Sequence, residues 1–295
     1  MQPVPVSLGA VCRLAVLLAS AVLFCTAALA YPPVYMEKAE TTPDMVQTDQ
    51  NARLPARGMA YCGPVAVSNS LVWLSRHGYA ELIPPLDKKR TMTQAQLASL
   101  LALEKYMDTS LKHGTSPAEL LEGLEKFLAD RGFSSASLKY QGWRSVPERF
   151  IASKGPPSMD WIKKGLLGDS AVWLNVGWYD LDKETKTFHR RGGHWVTLVG
   201  YGKNAAGKPD PFVLAVHDPA TRRKPGKDKA PRRRHDFVVA EPIASGTLAG
   251  KIKPLPVDAA GYYILGGELH VQHDADYALL DGAVVLTLQP GKKTE

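Results

Sequence analysis

A change in the spacing of apolar residues constrains the fold more than any other feature of this sequence. Before about residue 170, apolar side chains recur every three or four residues, as on one face of a helix. From Ala171 onward they alternate with polar residues, as in strands that bury one face. Helices followed by strands are typical of an α+β domain with an antiparallel sheet. We therefore predict a helical N-terminal half packed on an antiparallel sheet, and a β-rich C-terminal part beyond about Gly261.

Two of the predicted helices have clear start signals. Thr93 with Gln96, and Ser116 with Glu119, form capping boxes, in which a hydroxyl and a longer polar side chain three residues apart satisfy free backbone N–H groups. A shorter and weaker helix is expected after Ser158. The apolar stripes that follow these caps are interpreted as core, because they have simple helical spacing.

Seven strands are expected in the second half of the chain, separated by turn-prone stretches rich in Gly and Asn. They are Ala171 to Trp178, His194 to Tyr201, Phe212 to His217, Phe237 to Ala240, Tyr262 to Leu265, Leu269 to Gln272 and Val284 to Leu288. No internal repeat interrupts this order.

The first thirty residues resemble an export signal. The almost wholly apolar stretch Leu14 to Leu23 runs into Ala28-Leu29-Ala30, a small-x-small pattern that suits cleavage before Tyr31. The alternative, a lipoprotein anchored through Cys25, is weaker because Phe24 is a poor fit before a lipidated cysteine. We predict a signal peptide over 1–30, an extended arm over 31–59, and an exported protein that is periplasmic or secreted, with no integral membrane segment after the leader is removed.

Removal of that leader leaves a single cysteine. Cys12 and Cys25 belong to the leader, so only Cys62 remains in the mature chain. Exported proteins normally use cysteines in pairs, and a lone thiol in an oxidising compartment needs a reason. A reactive thiol is favoured, and a buried structural thiol is the alternative.

Three segments could together carry nucleophilic chemistry. Cys62 precedes Pro64 at the expected start of a helix, where the positive end of the helix dipole favours a thiolate. His194 heads a predicted strand, and Asp218 follows the next one, so that the carboxylate could orient the imidazole. His217 alternates to the opposite face from Asp218 and is interpreted as structural, with a swap of roles between the two as the alternative.

These segments resemble a known family. YCGPVAVSNSLVWL, then GGHWVTLVGYG, then HDPA look like the papain-like cysteine peptidases, and in particular the bacterial double-glycine leader peptidases (family C thirty-nine) and their secreted relatives. The resemblance covers roughly residues 50–219. It implies a papain-like cysteine proteinase fold over 60–260, with 261–295 as a β-rich extension of the same domain, and Cys62, His194 and Asp218 as nucleophile, base and orienter.

One position departs from the family pattern. Papain-like enzymes usually carry a glutamine about six residues before the nucleophile, whose amide helps to form the oxyanion hole. That position is Ala56 here. Gln50 is the candidate if a longer loop returns it to the site, and Gln47 and Asn51 are less favoured substitutes.

The expected function is an exported peptidase that acts on peptide or protein substrates through a thioester acyl-enzyme. No metal or organic cofactor is implied, since the spacing of His270 and His273 matches no zinc pattern. The alternatives are a thiol amidase or transpeptidase on cell-wall peptides, and a non-catalytic envelope-binding module built on a decayed peptidase fold. The net charge of +7 is concentrated in the basic segment 222–235. This segment is expected to be a solvated loop, with contact to anionic envelope polymer as the alternative. It lacks interleaved aromatic residues, so nucleic acid is not expected as a partner.

Overall fold

The structure, a computed structural model, describes residues 31–133, 136–220, 235–250, 256–271 and 274–289. The predicted signal peptide lies outside these residues, and so does the basic segment 222–235 except for His235. No helix within the described ranges is long and apolar enough to cross a membrane.

Within the described ranges, four α-helices start where the sequence signals them. They are α1 (Cys62–Ser75), α2 (Gln94–Leu101), α3 (Pro117–Asp130) and α4 (Met159–Gly165). Both predicted capping boxes are confirmed, with reciprocal side-chain to backbone bonds at the starts of α2 and α3. At α4 the Ser158 hydroxyl accepts a hydrogen bond from the Trp161 N–H, which caps the helix.

The described strands are ten in number and belong to one sheet. They are β1 (Ser137–Gly142), β2 (Ile151–Lys154), β3 (Ser170–Asp182), β4 (Thr187–Lys203), β5 (Pro209–His217), β6 (Asp236–Pro242), β7 (Thr247–Ala249), β8 (Val257–Asp258), β9 (Tyr263–Gly267) and β10 (Tyr277–Thr287). Six of them pair antiparallel in a ring, in the order β3, β4, β5, β6, β9, β10 and back to β3. The sheet is therefore a closed barrel of six strands, and the four remaining strands are attached to it.

The predicted fold class, a papain-like α+β fold with a helical half packed on a sheet, is wrong. The molecule is mostly sheet, and that sheet closes on itself. Closure depends on β9, which pairs with β6 on one side and with β10 on the other. Pairing between segments so far apart in sequence leaves no trace in local periodicity, which can indicate a strand but not its neighbours. The part beyond Gly261 supplies two of the six barrel strands.

Several strand predictions also need correction. The predicted strand His194 to Tyr201 is the second half of β4, so His194 lies in the middle of a strand and does not head it. The first half of β4 is not predicted as a strand, because Arg190, Arg191 and two glycines interrupt the apolar alternation. Residues 269–271, the described part of the predicted strand Leu269 to Gln272, are not a strand. The edge strands β1, β2, β7 and β8 were missed, being short or weakly alternating.

The helices α1, α2 and α3 share a core with one face of the barrel. Buried leucines of the three helices belong to the same cluster as Trp173 of β3 and Trp195 of β4. Polar contacts also fix α1 to the sheet: the carbonyl oxygen of Ala66 accepts hydrogen bonds from the Trp173 indole at 3.1 Å and the Thr197 hydroxyl at 2.8 Å. The start of α1 is thereby held against β3 and β4.

The N-terminal arm packs onto this unit. Tyr35 forms a two-way backbone bridge with Tyr201 of β4. The buried Lys38 ammonium donates to the carbonyl oxygens of Leu166, Gly168 and Ser170 at 2.7, 2.9 and 2.7 Å. These contacts hold the arm across the sheet and bring its later residues to the start of α1.

Candidate active site

Cys62 is the first residue of α1 and is buried. The turn before it is tight, because Ala56, Arg57 and Gly58 all adopt positive φ angles. Gly63 allows close packing beside the thiol, since a Cβ there would come within 3.0 Å of the Thr115 side chain. The thiol is therefore fixed at the N-terminal end of a 14-residue helix, where unpaired backbone N–H groups and the helix dipole favour negative charge.

His194 lies next to this helix start on β4, opposite Val176 of β3. Its ring is buried, and its Nε2 atom is 2.7 Å from Oδ1 of Asp218. The Cys62 side chain is a neighbour of the ring and adds to the rise of its pKa, and because Nε2 faces the carboxylate, Nδ1 is the nitrogen left for the sulfur. Trp178 of β3, directly before the register shift in its pairing with β4, stacks on the imidazole with ring centroids 5.7 Å apart and planes at 16°. The imidazole therefore has a fixed orientation.

Asp218 follows β5 directly, and the antiparallel pairing of β4 with β5 brings it beside His194. Its carboxylate accepts two further hydrogen bonds, from the backbone N–H of Ala220 to Oδ1 at 2.8 Å and from that of His270 to Oδ2 at 3.0 Å. Three donors around a buried carboxylate favour its ionised form. Asp218 is thus held as an anion.

The electrostatics of the pair follow from this arrangement. Burial alone would disfavour a charged His194, but the Asp218 carboxylate outweighs it, and the pKa of His194 is raised to about 10, with Cys62 adding to the rise. Burial opposes the charge on Asp218 as well, yet His194 and the two backbone donors hold the pKa of that carboxyl well below its usual range. At neutral pH an imidazolium therefore lies between a carboxylate and the sulfur.

Gln50, the predicted oxyanion glutamine, is not brought to these residues. It lies in a short 3-10 turn, Gln50–Ala52, with an exposed side chain, and among the described contacts none joins it to Cys62 or His194. The prediction of Gln50 as a site residue therefore has no support from the geometry.

Gln47, the less favoured substitute, is buried close to the site. Its backbone N–H donates to the Pro219 carbonyl at 2.8 Å, directly after Asp218, and its Nε2 donates to the Met59 carbonyl at 3.2 Å, three residues before Cys62. Gly58 permits this approach, because any Cβ there would collide with the Gln47 backbone. Gln47 thus links the loop before Cys62 to the loop after Asp218. No spacing in the sequence could distinguish it from Gln50.

His217 and His270 complete the surroundings. His217 is fully buried and its Nδ1 lies 3.0 Å from the Pro43 carbonyl on the arm, which agrees with its interpretation as structural. The His270 ring meets Trp178 and His194 edge-on, with centroids 6.1 and 6.3 Å away. The sequence carried no signal for this position, because His270 reaches the site through the long connection between β9 and β10.

A thiol beside an imidazole that is hydrogen-bonded to a buried carboxylate is the arrangement used for nucleophilic acyl transfer. No protein-family model matches the chain, and no curated protein matches it. Within the described residues, no group of three or more His, Cys, Asp or Glu side chains could hold a metal ion.

Proposed function

We propose that this chain is a cysteine peptidase that hydrolyses peptide bonds through Cys62, His194 and Asp218. The observation that carries the proposal is the position of the His194 ring, with Nε2 at 2.7 Å from a buried carboxylate and the other nitrogen toward a thiol at a helix start. The resemblance of three sequence segments to the double-glycine leader peptidases supports the same assignment. Export to the periplasm or outside the cell is part of the proposal and rests on the leader sequence.

The proposed reaction begins with the sulfur as thiolate beside a protonated His194. The thiolate Sγ attacks the carbonyl carbon of the scissile bond, and the carbonyl oxygen becomes an oxyanion. His194 then gives its Nδ1 proton to the leaving amine as the carbon–nitrogen bond breaks, which leaves a thioester on Cys62. Water attacks the thioester while His194 accepts a proton from it, and the carbon–sulfur bond breaks to release the carboxylic acid product.

The oxyanion would be stabilised by donors at the start of α1. The backbone N–H of Cys62 is one. The Gln47 amide is the second, since it lies beside Met59 and Pro219 with one N–H accounted for by the Met59 carbonyl. This assignment fills the position that Ala56 leaves vacant in the sequence pattern, and it favours a catalytic site over a decayed, purely binding one.

Alkylation of the full-length protein tests the nucleophile. Iodoacetamide at neutral pH should label Cys62 in the folded protein within minutes, as read by mass spectrometry of the peptide that contains it, and the His194→Gln variant should label much more slowly. Casein hydrolysis by the wild type, lost in Cys62→Ala, would support peptidase action. Release of peptidoglycan fragments without proteolysis would favour the amidase alternative. A thiol that reacts only after denaturation would refute the proposal.

A further inference from the structure

A cavity with a volume of about 380 Å³ lies beyond the end of β1. Its wall includes Tyr140, Arg144 and Tyr262, and none of the three candidate catalytic residues lines it. The volume is within the range of small-molecule sites, which is roughly 300–1,000 Å³. Such a cavity is independent of the acyl-transfer chemistry proposed above.

A buried carboxylate lies behind this cavity. Asp281 occupies a bulge of β10, where the pairing with β3 shifts register, and it is fully buried. Its oxygens accept hydrogen bonds from the Tyr179 hydroxyl at 2.5 Å, the Trp143 indole at 3.1 Å and Arg190 Nε at 2.6 Å. The single negative charge of Asp281 is therefore matched by the guanidinium of Arg190.

A second guanidinium, that of Arg144, belongs to the same cluster. It lies over the Trp143 ring, 5.1 Å from the ring centroid. Burial lowers the pKa of Arg144, and the neighbouring Arg190 charge lowers it further, against the attraction of Asp281. Among the described residues its side chain has no hydrogen bond or ion pair with a carboxylate. Two partly buried cations thus share one anion, and one positive charge is uncompensated at the cavity wall.

Tyr262 offers a hydroxyl to the same cavity. Its side chain is fully buried, and within the described part of the chain its Oη atom has no hydrogen-bond partner. Burial and the nearby Asp281 charge raise the pKa of Tyr262, so the hydroxyl keeps its proton and remains a donor. A buried polar atom without a partner destabilises the folded protein. A ligand oxygen would satisfy it.

We propose that this cavity binds a small monocarboxylate, with the Arg144 guanidinium and the Tyr262 hydroxyl donating to the carboxylate oxygens. Arginine presents a planar pair of donors that fits a carboxylate. The apolar body of the ligand would pack on Val146, Ile151 and Val257, which also line the cavity. A single charge is favoured over a dianionic phosphate because only one positive charge is uncompensated.

The other charged groups of the wall agree with this choice. Glu148 and Lys154 both line the cavity, and they pair with each other at 3.6 Å, with both side chains exposed to solvent. Together they add no net charge, so the excess of one positive charge at Arg144 remains. A second negative charge on the ligand would face Glu148 without a free cation to match it.

Isothermal titration calorimetry of the full-length protein with sodium benzoate tests the proposal. We expect saturable binding with a Kd on the order of millimolar or tighter. Arg144→Gln should weaken binding at least about tenfold, and Tyr262→Phe, which removes only the hydroxyl, about threefold to tenfold. Arg149→Gln is the matched control, because Arg149 is exposed, pairs with Glu122 and Glu125, and does not line this cavity. Its binding should stay within about twofold of the wild type.

Inorganic phosphate provides the second arm of the experiment. Tighter binding of phosphate than of benzoate would overturn the choice of a monocarboxylate. No saturable heat with either probe, or benzoate binding that is unchanged in both Arg144→Gln and Tyr262→Phe, would overturn the site itself. Tyr262→Phe keeps every hydrogen bond that the described structure contains, so it tests the site even if Arg144→Gln fails to fold.

Discussion

Replacement of Asp218 by Asn tests the electrostatic core of the proposed mechanism. The amide has nearly the same shape, and its oxygen can still accept from one of the backbone N–H groups of Ala220 and His270 that the carboxylate now uses. What is lost is the negative charge beside His194. Without it, burial is left to act on the ring, and the pKa of His194 should fall from about 10 to below its ordinary value of 6.5. At neutral pH the imidazolium then becomes a neutral imidazole.

The magnitude follows from the bond that is removed. A hydrogen bond between two charged groups contributes about 1.5–3 kcal/mol, which corresponds to a rate factor of about 10- to 150-fold. The shift of the His194 pKa from 6.5 to about 10 would correspond to a larger energy. We use the smaller value, the hydrogen-bond energy, because the pKa shift of His194 also contains desolvation and the interaction with Cys62, which act with opposite signs. Alkylation of Cys62 in Asp218→Asn at pH 7 should therefore be slower by about 10- to 150-fold.

The assay is the rate of iodoacetamide labelling of Cys62 between pH 5 and 10. In the wild type the reactive ion pair should persist through neutral pH, because Asp218 keeps His194 protonated until the pH approaches about 10. In the variant the rate should instead rise with pH, as for an ordinary thiol. Asp210→Asn is the matched control, since Asp210 lies on the same strand β5 and, among the described residues, its side chain bonds only to the nearby Phe212 N–H. Wild-type rates and pH profile in Asp218→Asn would refute the proposed role of the carboxylate.

Stability should carry the same pH signature, and two further substitutions test the packing around the site. The raised pKa of His194 contributes stability that is complete below pH 6.5 and is lost as the pH rises through about 10, so thermal melts should show an alkaline decrease that is absent in Asp218→Asn. Burial lowers the pKa of Lys38 to about 7, so the lysine is charged at pH 6. At that pH Lys38→Met should lower the free energy of unfolding by about 3 kcal/mol, because three carbonyl groups lose a charged donor, whereas the exposed Lys139→Met should change it little in the same urea titration. Gly193→Ala should cost about 1–3 kcal/mol, since the new Cβ would collide with the Arg190 guanidinium. In Gly266→Ala the Cβ meets nothing within 4 Å, and comparable losses in both alanine variants would contradict this reasoning.

The parts of the fold that the sequence predicts well are those with local causes. The starts of α2 and α3 were predictable because Thr93 with Gln96 and Ser116 with Glu119 exchange bonds across three residues. The start of α1 at Cys62 has the same kind of cause, since Pro64 fits the first turn of a helix. Each of these signals depends on residues that are neighbours in sequence, so no knowledge of the rest of the chain is needed.

The closed barrel had no such local cause. Its last contact joins Leu279 of β10 to Ile264 of β9, and β9 itself becomes a barrel strand only because it also pairs with β6. The same limit applies to the oxyanion candidate. Gln47 and Gln50 are three residues apart on an irregular segment, and only the bridge of Tyr35 to Tyr201 and the buried Lys38 determine which of them faces the loop after Asp218.

The correction of the fold changes how the proposed site is held. In the predicted arrangement His194 would head a strand, with a free end on one side. In the barrel it lies in the middle of β4, paired with Val176 of β3, and the following half of β4 is fixed to α1 through Thr197. The preceding half is fixed through Arg190 to the buried Asp281. The strand that carries the imidazole is therefore anchored on both sides of His194. A shift at either anchor would move the ring relative to the Cys62 sulfur. This explains the glycine directly before His194: Gly193 lies against Arg190, and a side chain there would collide with the guanidinium that fixes this half of β4 to Asp281.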